Sequence, residues 1–293
     1  MHAIVLIKQV PDTAEMRINP ETGTLVRQGV PSIINPHDVH ALEAALQLKD
    51  RFGGEVTVLT MGPNFFEESM KKAVGLGADR TIIVSDRAMA GADTFATSYV
   101  LAAAVRKIAA EFGPYDVIFS GRQTIDGDTG QVGPGVAARL DLSLLTYVMS
   151  IREFNLNDRY VIAERKLEGA RQVVRAALPV LMTTEKELNE PRYAALPDLL
   201  KARGHASIIW NHDDLGLDAS RIGLRGSPTI VSKSYTTPPR ERLGLRIEGM
   251  DDPAAAAKEL ADRLLLNESF RYLFVNHLAG ATDGQPKGKV KLP

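Results

Sequence analysis

The stretch that decides the fold covers residues 115–140 and reads YDVIFSGRQTIDGDTGQVGPGVAARL. It opens with an apolar run typical of a buried strand, which breaks at Gly121. A polar loop rich in glycine and aspartate follows, and apolar residues then recur at helical spacing from Val132. This order of strand, loop and helix places backbone N–H groups and a positive helix end at the carboxyl edge of a sheet. The stretch predicts a phosphate site, and an ordinary tight connection remains the alternative.

The chain before this stretch alternates between strand and helix patterns. Apolar runs at 3–7, 55–60 and 80–85 predict strands, and each is followed by residues with helical periodicity. Helix starts are predicted from Asp38 as an N-cap, from Asn64 with Glu67 as a capping box, from Asp93, from Asp128 or Thr129, and from the Asp252–Pro253 pair. We therefore expect an α/β fold with a mostly parallel, doubly wound, Rossmann-like sheet that binds an adenine nucleotide.

The pattern changes after residue 142. Strand patterns at 144–154, 159–167 and 170–178 are joined by polar turns, which predicts an antiparallel extension of the sheet. The segment after residue 185 has few core residues, so we expect a long C-terminal arm that lies on a partner, with a flexible linker as the alternative. The predicted organisation is a nucleotide-binding domain at 1–185, a recognition loop and clasping arm at 186–250, and a C-terminal helix and tail at 251–293.

Composition narrows the function classes. The net charge is -1, which offers no general attraction to nucleic acid or to a membrane surface. The chain has no cysteine, which excludes disulfides, thiolate catalysis and cysteine-ligated metals and fits a reducing cytoplasm. No apolar run is long enough for a membrane span, and no catalytic motif or metal-ligand cluster is present. We expect a cytoplasmic protein with no catalytic residues and no metal of its own.

Four loops are expected to meet at the carboxyl edge of the sheet, at 8–13, 35–38, 61–63 and 121–130. Arg122 lies in the phosphate-type loop and could bind phosphate bidentately. Asn35 could bond a ribose or base, or simply mark the helix entry before Pro36. Asp126 and Asp128 could bind ribose hydroxyls or cap the following helix.

Several segments resemble the beta subunit of electron-transfer flavoproteins. They read GRQTIDGDTGQVGP, ERKLEGARQVVRAALPVLMTT and KELNEPRYAALPDLLKAR, with KQVPDT and SIINPHD at matching positions. The resemblance covers at least residues 1–205 in order. It implies a heterodimer with a larger alpha subunit that holds FAD, and a beta subunit that binds a nucleotide.

The resemblance also assigns partner contacts. The LNEPRYAALPDLL segment resembles the recognition loop that anchors a partner dehydrogenase or quinone oxidoreductase, with Leu188 at the anchoring position followed by Asn189, Glu190 and Pro191. An exposed leucine stiffened by a proline can fill a partner's pocket at low ordering cost. Arg165 resembles a residue that faces the flavin of the alpha subunit, and pairing with Glu164 or Glu168 is the alternative.

The cofactor contacts follow from the same resemblance together with the loop chemistry. The residues expected to line the nucleotide are Leu6, Asn35, Pro36, His37, Asp38, Met61, Arg122, Asp126, Gly127, Asp128, Thr129, Gly130, Gln131, Val132, Gly133, Pro134, Gly135, Val136 and Ala137. The loop sequence resembles the electron-bifurcating branch, which implies FAD in this subunit and NADH as electron donor. AMP with a structural role is the alternative ligand.

A stand-alone ATP-binding α/β module is the competing class of function. Such a module would end near residue 185, whereas this chain continues for 100-odd residues that are poor in core positions. The length therefore favours the electron-transfer subunit.

Overall fold

The computed structural model describes residues 1–12, 17–18, 25–26, 31–230, 244, 247, 251–268 and 270–272. The strands are β1 His2–Leu6, β2 Gln9–Pro11, β3 Arg17–Ile18, β4 Leu25–Val26, β5 Ser32–Ile34, β6 Glu55–Met61, β7 Arg80–Val84, β8 Val117–Gly121, β9 Ser143–Asn155, β10 Tyr160–Leu167, β11 Ala170–Ala177, β12 Val180–Thr184 and β13 Ile208–Trp210. The α-helices are α1 Pro36–Phe52, α2 Glu67–Leu76, α3 Thr94–Phe112, α4 Val132–Leu140, α5 Leu196–Arg203 and α6 Pro253–Leu266.

A nine-stranded sheet forms the centre of the first unit, in the order β11-β10-β9-β12-β8-β1-β6-β7-β13. The strands from β9 to β13 in this order pair in parallel, and β10 and β11 extend the β9 edge in antiparallel fashion. The predicted α/β fold with its antiparallel extension is confirmed. The chain moves from β1 through β6 to β7 and then crosses back to β8, so the order reverses beside β1. A crevice at such a reversal is where open α/β sheets bind ligands.

The two faces of the sheet carry separate cores. Alternate residues of β1 point to opposite faces, with Ala3 and Val5 in one core and Ile4 and Leu6 in the other. Helices α1 and α2 supply the first core, and α3 and α4 supply the second. Because both faces are covered, the central strands read as continuous apolar runs, as the sequence predicted.

The boundary predicted at residue 185 is too early. Strand β13 pairs in parallel with β7, and its Trp210 is buried in the second core together with Ile222. Contacts divide the chain into the units Met1–Thr236 and Thr237–Pro293. The described part of the predicted arm up to residue 230 therefore belongs to the first unit. Its strand β13, with two exposed isoleucines and the buried Trp210, forms the edge of the sheet beside β7.

Helix starts agree with the sequence at two places and differ at three. Asp93 accepts hydrogen bonds from the first amides of α3, and Asp252 does the same for α6. Asn64 lies instead in a 3-10 turn without a side-chain cap, so the predicted capping box is wrong. Helix α1 starts after Asn35, so Asp38 lies in the first turn and is not the N-cap that the sequence predicted. Helix α4 starts after Gln131, so neither Asp128 nor Thr129 caps it.

The second unit is described only in part. Helix α6 begins at the predicted Asp252–Pro253 pair, and its leucines, including Leu260 and Leu266, are exposed. The predicted tail at 280–293 and most of 231–250 lie outside the described residues. Within the described ranges, no helix combines the length and apolarity needed to cross a bilayer.

Candidate functional site

Asp38 ties together the two strands that flank the crevice. Its carboxylate accepts the Lys8 amide at 2.8 Å, just after β1, and the Gly121 amide at 3.0 Å, at the end of β8. Burial raises the pKa of this carboxyl from 3.8 to about 7, although hydrogen bonds from Asn35, Lys8 and Gly121 act in the opposite direction. A side chain at Gly121 would lie 2.4 Å from Asp38 Oδ1, so glycine is required for this close approach. Asp38 thus sets the width of the crevice and leaves no oxygen directed at solvent.

Asn35 holds the loop that follows β8. It is fully buried, donates from Nδ2 to the Gln123 carbonyl at 2.9 Å and accepts the Ile125 amide at 3.2 Å. Both polar groups of the side chain are thus used inside the protein. The structure therefore favours the alternative in which this residue shapes the site, and a ligand would meet the loop that Asn35 holds.

The loop between β8 and α4 exposes its tip to solvent. Residues 126–129 are exposed, and Asp128 has a φ of 53° while Gly130 has a φ of 62°. Asp128 also accepts a hydrogen bond from Gln123 Nε2 at 2.8 Å, which fixes the turn from within. Left-handed residues in a loop turn successive amides toward one side, a geometry that suits an anion.

The N-terminus of α4 is open and packed tightly on the sheet. Gln131 is its N-cap residue and no side chain among the described residues caps the helix. A side chain at Gly133 would lie 2.6 Å from Ser120 Oγ, so only glycine brings the helix this close to β8. Ser120 Oγ is buried and has no hydrogen-bond partner within the described part of the chain. An uncapped helix start beside an orphaned hydroxyl fits a phosphate group.

Arg122 begins the loop but is already engaged. Its guanidinium donates to both oxygens of Glu185, at 2.9 and 3.2 Å, and the Glu185 side chain is only 3% exposed. Arg122 Nε is buried and has no partner in the described ranges, so this N–H faces the protein interior. Burial lowers the pKa of nearby His37, and the Arg122 guanidinium lowers it further. A lowered pKa favours the neutral imidazole of His37 at neutral pH.

Lys8 pairs across the crevice with the loop tip. Its ammonium lies 2.7 Å from Asp126 Oδ2. Burial acts to raise the pKa of Asp126, but the hydrogen bonds from Lys8 and Thr124 together with the Lys8 charge outweigh it, and the pKa is lowered. Both side chains remain solvated, so the pair contributes at most about 1 kcal/mol and can exchange for ligand contacts.

A cavity of about 280 Å³ lies beyond the crevice, at the carboxyl ends of β6 and β7. Its wall is mainly apolar and includes Met61, Pro63, Val84 and Met89. Apolar walls with few polar groups suit a flat ring such as a nucleotide base. Met61, which the sequence singled out, is thus placed where a base could be held.

Some residues expected to line the nucleotide instead pack inside the protein. The side chains of Leu6, Val136 and Ala137 belong to the second core, and a side chain at Gly135 would meet Ser98 of α3 at 2.8 Å. Their helical or strand periodicity turns them toward the sheet, away from the crevice. The remaining candidates lie at the crevice, its loops or the start of α4, namely Pro36, His37, Asp126, Gly127, Asp128, Thr129, Gly130, Gln131, Val132, Gly133 and Pro134.

The expected anchor Leu188 is half-buried against the first core, so it is not the exposed side chain that the sequence predicted. The apolar side chains that protrude come later in the segment: Tyr193 is 99% exposed, Leu196 69% and Leu200 58%. Glu190 is exposed and Asn189 is held by His40. Leu188 is half-buried against the core because it lies at the end of the 3-10 turn Lys186–Leu188, whereas Leu196 and Leu200 lie beyond this turn and are exposed.

Arg165 makes neither of the glutamate pairs considered above. It donates from Nε to the Thr146 carbonyl at 3.1 Å and from Nη2 to Thr146 Oγ1, across to β9. Its strand neighbour Glu164 pairs with Arg152 instead. Alternation along β10 places these two side chains on opposite faces, which a sequence reading of adjacent charges overlooks.

Three interactions near the site carry no clear sequence signal. Glu185 partners Arg122, Arg192 partners Glu43, and His212 Nδ1 lies 2.5 Å from Asp86 Oδ2. Each joins residues far apart in the chain, so only the fold brings the partners together.

The fold is a mostly parallel α/β fold with an antiparallel extension, and its crevice beside β1 has a geometry that suits an anion. The electron transfer flavoprotein domain matches residues 22–214, which is most of the chain. The chain therefore belongs to the electron transfer flavoprotein family.

Relatives cover nearly the whole length. Protein FixA of Bradyrhizobium diazoefficiens is 50% identical over 92% of this chain and 92% of its own. Electron transfer flavoprotein subunit beta of Thermoanaerobacterium thermosaccharolyticum is 44% identical over 90% of this chain and 98% of its own. The caffeyl-CoA reductase-Etf complex subunit CarD of Acetobacterium woodii is 45% identical over 85% of this chain and 92% of its own. The resemblance to the beta subunit is confirmed.

Proposed function

We propose that this chain is the beta subunit of a heterodimeric electron-transfer flavoprotein that binds FAD at the crevice beside β1. The observation that carries the proposal is the open start of α4, where Gly133 packs on the orphaned hydroxyl of Ser120. Relatives named as electron-transfer flavoprotein subunits support the class of function. Bound flavin would supply one-electron and hydride chemistry at this edge of the sheet.

The residues that would hold the nucleotide divide by task. The amides at the start of α4 and the loop amides near Gly130 bind phosphate, favoured by the helix dipole. The partly exposed Arg122 side chain lies beside the loop and would face a second phosphate, while Glu185 keeps the guanidinium in place. The cavity beside Met61 holds the base.

FAD is favoured over AMP by the room and charge at the loop tip. Gly127 carries no side chain there, and a side chain would meet only Thr124 Oγ1, at 3.6 Å. The exposed tip leaves space for a ligand longer than AMP to leave the crevice. Lys8 is held only by its solvated pair with Asp126, so its ammonium can turn to a pyrophosphate with two negative charges.

We further propose NADH as electron donor, with electrons passed between dehydrogenases and acceptors by flavin-based bifurcation. The support is the loop sequence from Asp126 to Pro134, which resembles the bifurcating branch. Two partners are proposed. The protruding side chains near Tyr193 contact a partner oxidoreductase, while the rest of the chain after residue 186, including the second unit, contacts the alpha subunit.

The test is cofactor analysis of the purified heterodimer. After denaturation, released flavin and AMP are quantified separately, and NADH is added to the intact protein to follow bleaching of the flavin absorbance. We expect two FAD per heterodimer, both bleached by NADH. One FAD with one AMP would contradict FAD in this subunit, and a stable monomer that hydrolyses ATP would contradict the class of function.

A further inference from the structure

The docking segment, residues 189–200, has an unusual combination of exposed apolar side chains and little internal structure. Residues 189–195 form neither helix nor strand, and α5 buries only Ala202. Tyr193 and Leu196 are among the most exposed large apolar side chains of the first unit. A segment with these features would move freely unless other parts of the protein fixed it.

Helix α1 supplies the missing restraint through Glu43. Its carboxylate, buried to 5% exposure, accepts from the Arg192 amide at 3.1 Å, from Nε at 2.9 Å and from Nη2 at 3.1 Å. Arg192 Nη2 also lies 2.7 Å from Asp50 Oδ2, which is about two turns further along the same helix. The hydrogen bond to Glu43 raises the pKa of Arg192, as expected for a guanidinium held between two carboxylates. The backbone and the side chain at residue 192 are thus both fixed.

Two further contacts hold the segment on either side of Arg192. Asn189 Nδ2 donates to the His40 carbonyl at 3.0 Å, and His40 Nδ1 donates to Asn189 Oδ1 at 3.0 Å. On the other side, Leu199 packs against Gly75 of α2, where any side chain would come within 3.0 Å of it. The segment is therefore held at its start, middle and end, with the buried carboxylate at the middle.

We propose that Glu43 and Arg192 form a clamp that positions the docking segment, so that Tyr193, Leu196 and Leu200 meet a partner oxidoreductase already in their bound arrangement. The proposal rests on the proposed function, because it concerns how that partner is met. Ordering side chains on binding weakens association, and a preformed surface avoids this loss. Glu43 and Arg192 are positioning residues, since the exposed apolar side chains make the contact.

Of the two carboxylates that contact Arg192, we assign the clamp to Glu43 because its side chain is buried and that of Asp50 is exposed. A buried carboxylate that loses its cation is strongly unfavourable, so Glu43 and Arg192 stay together in the folded protein. Asp50 is 60% exposed, and its pair with Arg192 is screened by solvent. Asp50 is therefore the matched control: it contacts the same guanidinium from the same helix and should matter little.

The experiment compares heterodimers that carry Glu43→Gln, Arg192→Lys, Asp50→Asn or Leu196→Ser with the unaltered heterodimer. Hydrogen exchange measured by mass spectrometry follows the amides of residues 189–203. Steady-state kinetics use the dehydrogenase that reduces the unaltered heterodimer, with the heterodimer as varied substrate. Nucleotide content and thermal unfolding confirm that each variant is folded.

For Glu43→Gln and Arg192→Lys we expect exchange about tenfold faster at 189–203 and a KM about tenfold higher with kcat unchanged, which corresponds to about 1.4 kcal/mol. Asp50→Asn should stay within about twofold of the unaltered protein in both measurements. Leu196→Ser should raise KM without changing exchange, because it removes a contact and leaves the clamp.

Unchanged exchange at 189–203 in Glu43→Gln would overturn the clamp, and faster exchange with an unchanged KM would overturn its role in docking. If the unaltered heterodimer exchanges electrons neither with NADH nor with any dehydrogenase, the proposed function fails, and the exchange measurement still decides whether Glu43 holds the segment. The two failures are therefore distinguishable.

Discussion

Asp38 makes the stability of the protein depend on pH in a direction unusual for an aspartate. Burial raises its pKa from 3.8 to about 7, so the folded protein keeps a proton that the unfolded chain releases. The stabilisation is fully present below pH 3.8 and declines as pH rises toward about 7, after which it stays constant. Asp38→Asn is neutral at every pH and removes this dependence. We therefore expect the wild type to lose stability relative to the variant as pH rises.

The magnitude follows from the pKa and the geometry. At about 1.36 kcal/mol per pH unit, the rise in pKa sets an upper limit of about 4 kcal/mol. That limit already includes the opposing hydrogen bonds from Lys8 and Gly121, and the part that falls between about pH 5 and pH 8 is about 3 kcal/mol. In a unit of this size, about 3 kcal/mol corresponds to about 6–12 °C in the unfolding temperature.

The assay is thermal unfolding of wild-type and Asp38→Asn heterodimers in parallel at about pH 5, 6 and 7, within the window that the two pKa values define, and at about pH 8, above it. A constant offset between the proteins reflects the altered hydrogen bonds to Lys8 and Gly121 and does not bear on the argument. A difference that does not change with pH, or a wild type that gains stability as pH rises, would refute a raised pKa.

Three further predictions concern other parts of the first unit. Gly133→Ala should reduce the nucleotide released on denaturation by about tenfold or more, because its side chain would lie 2.6 Å from Ser120 Oγ, whereas Gly127→Ala should retain it. The hydrogen bond to Asp86 raises the pKa of His212, so thermal stability relative to His212→Gln should be greatest below pH 6.5 and decline above it. Leu188→Ala should lower the unfolding free energy by about 1–2 kcal/mol, as expected for a half-buried side chain, while Leu196→Ser should leave it within about 0.5 kcal/mol in chemical denaturation.

Local sequence signals determined the elements of this fold. Apolar runs predicted the strands β1, β6, β7 and β8 of the parallel core, and the strands β9, β10 and β11 were recognised from their polar turns. These signals are local, because each depends on residues within one turn or one strand of each other. Strand order is not local: β12 enters between β8 and β9, and β13 completes the far edge, through pairings over long sequence distances. The boundary at residue 185 was wrong for this reason.

The site divides in the same way. The glycine-rich loop, the start of α4 and the crevice beside β1 were predictable, because a strand followed by a polar loop and a helix has one arrangement in a parallel sheet. Which side chains face a ligand was not, because burial is decided by the packing of several elements together. Asn35 and Asp38 are both polar residues at a helix start, and only the tertiary structure directs them to the loops they hold. Likewise, Leu188 is half-buried because it lies over the first core, whereas Leu196 is exposed because it lies at the start of α5.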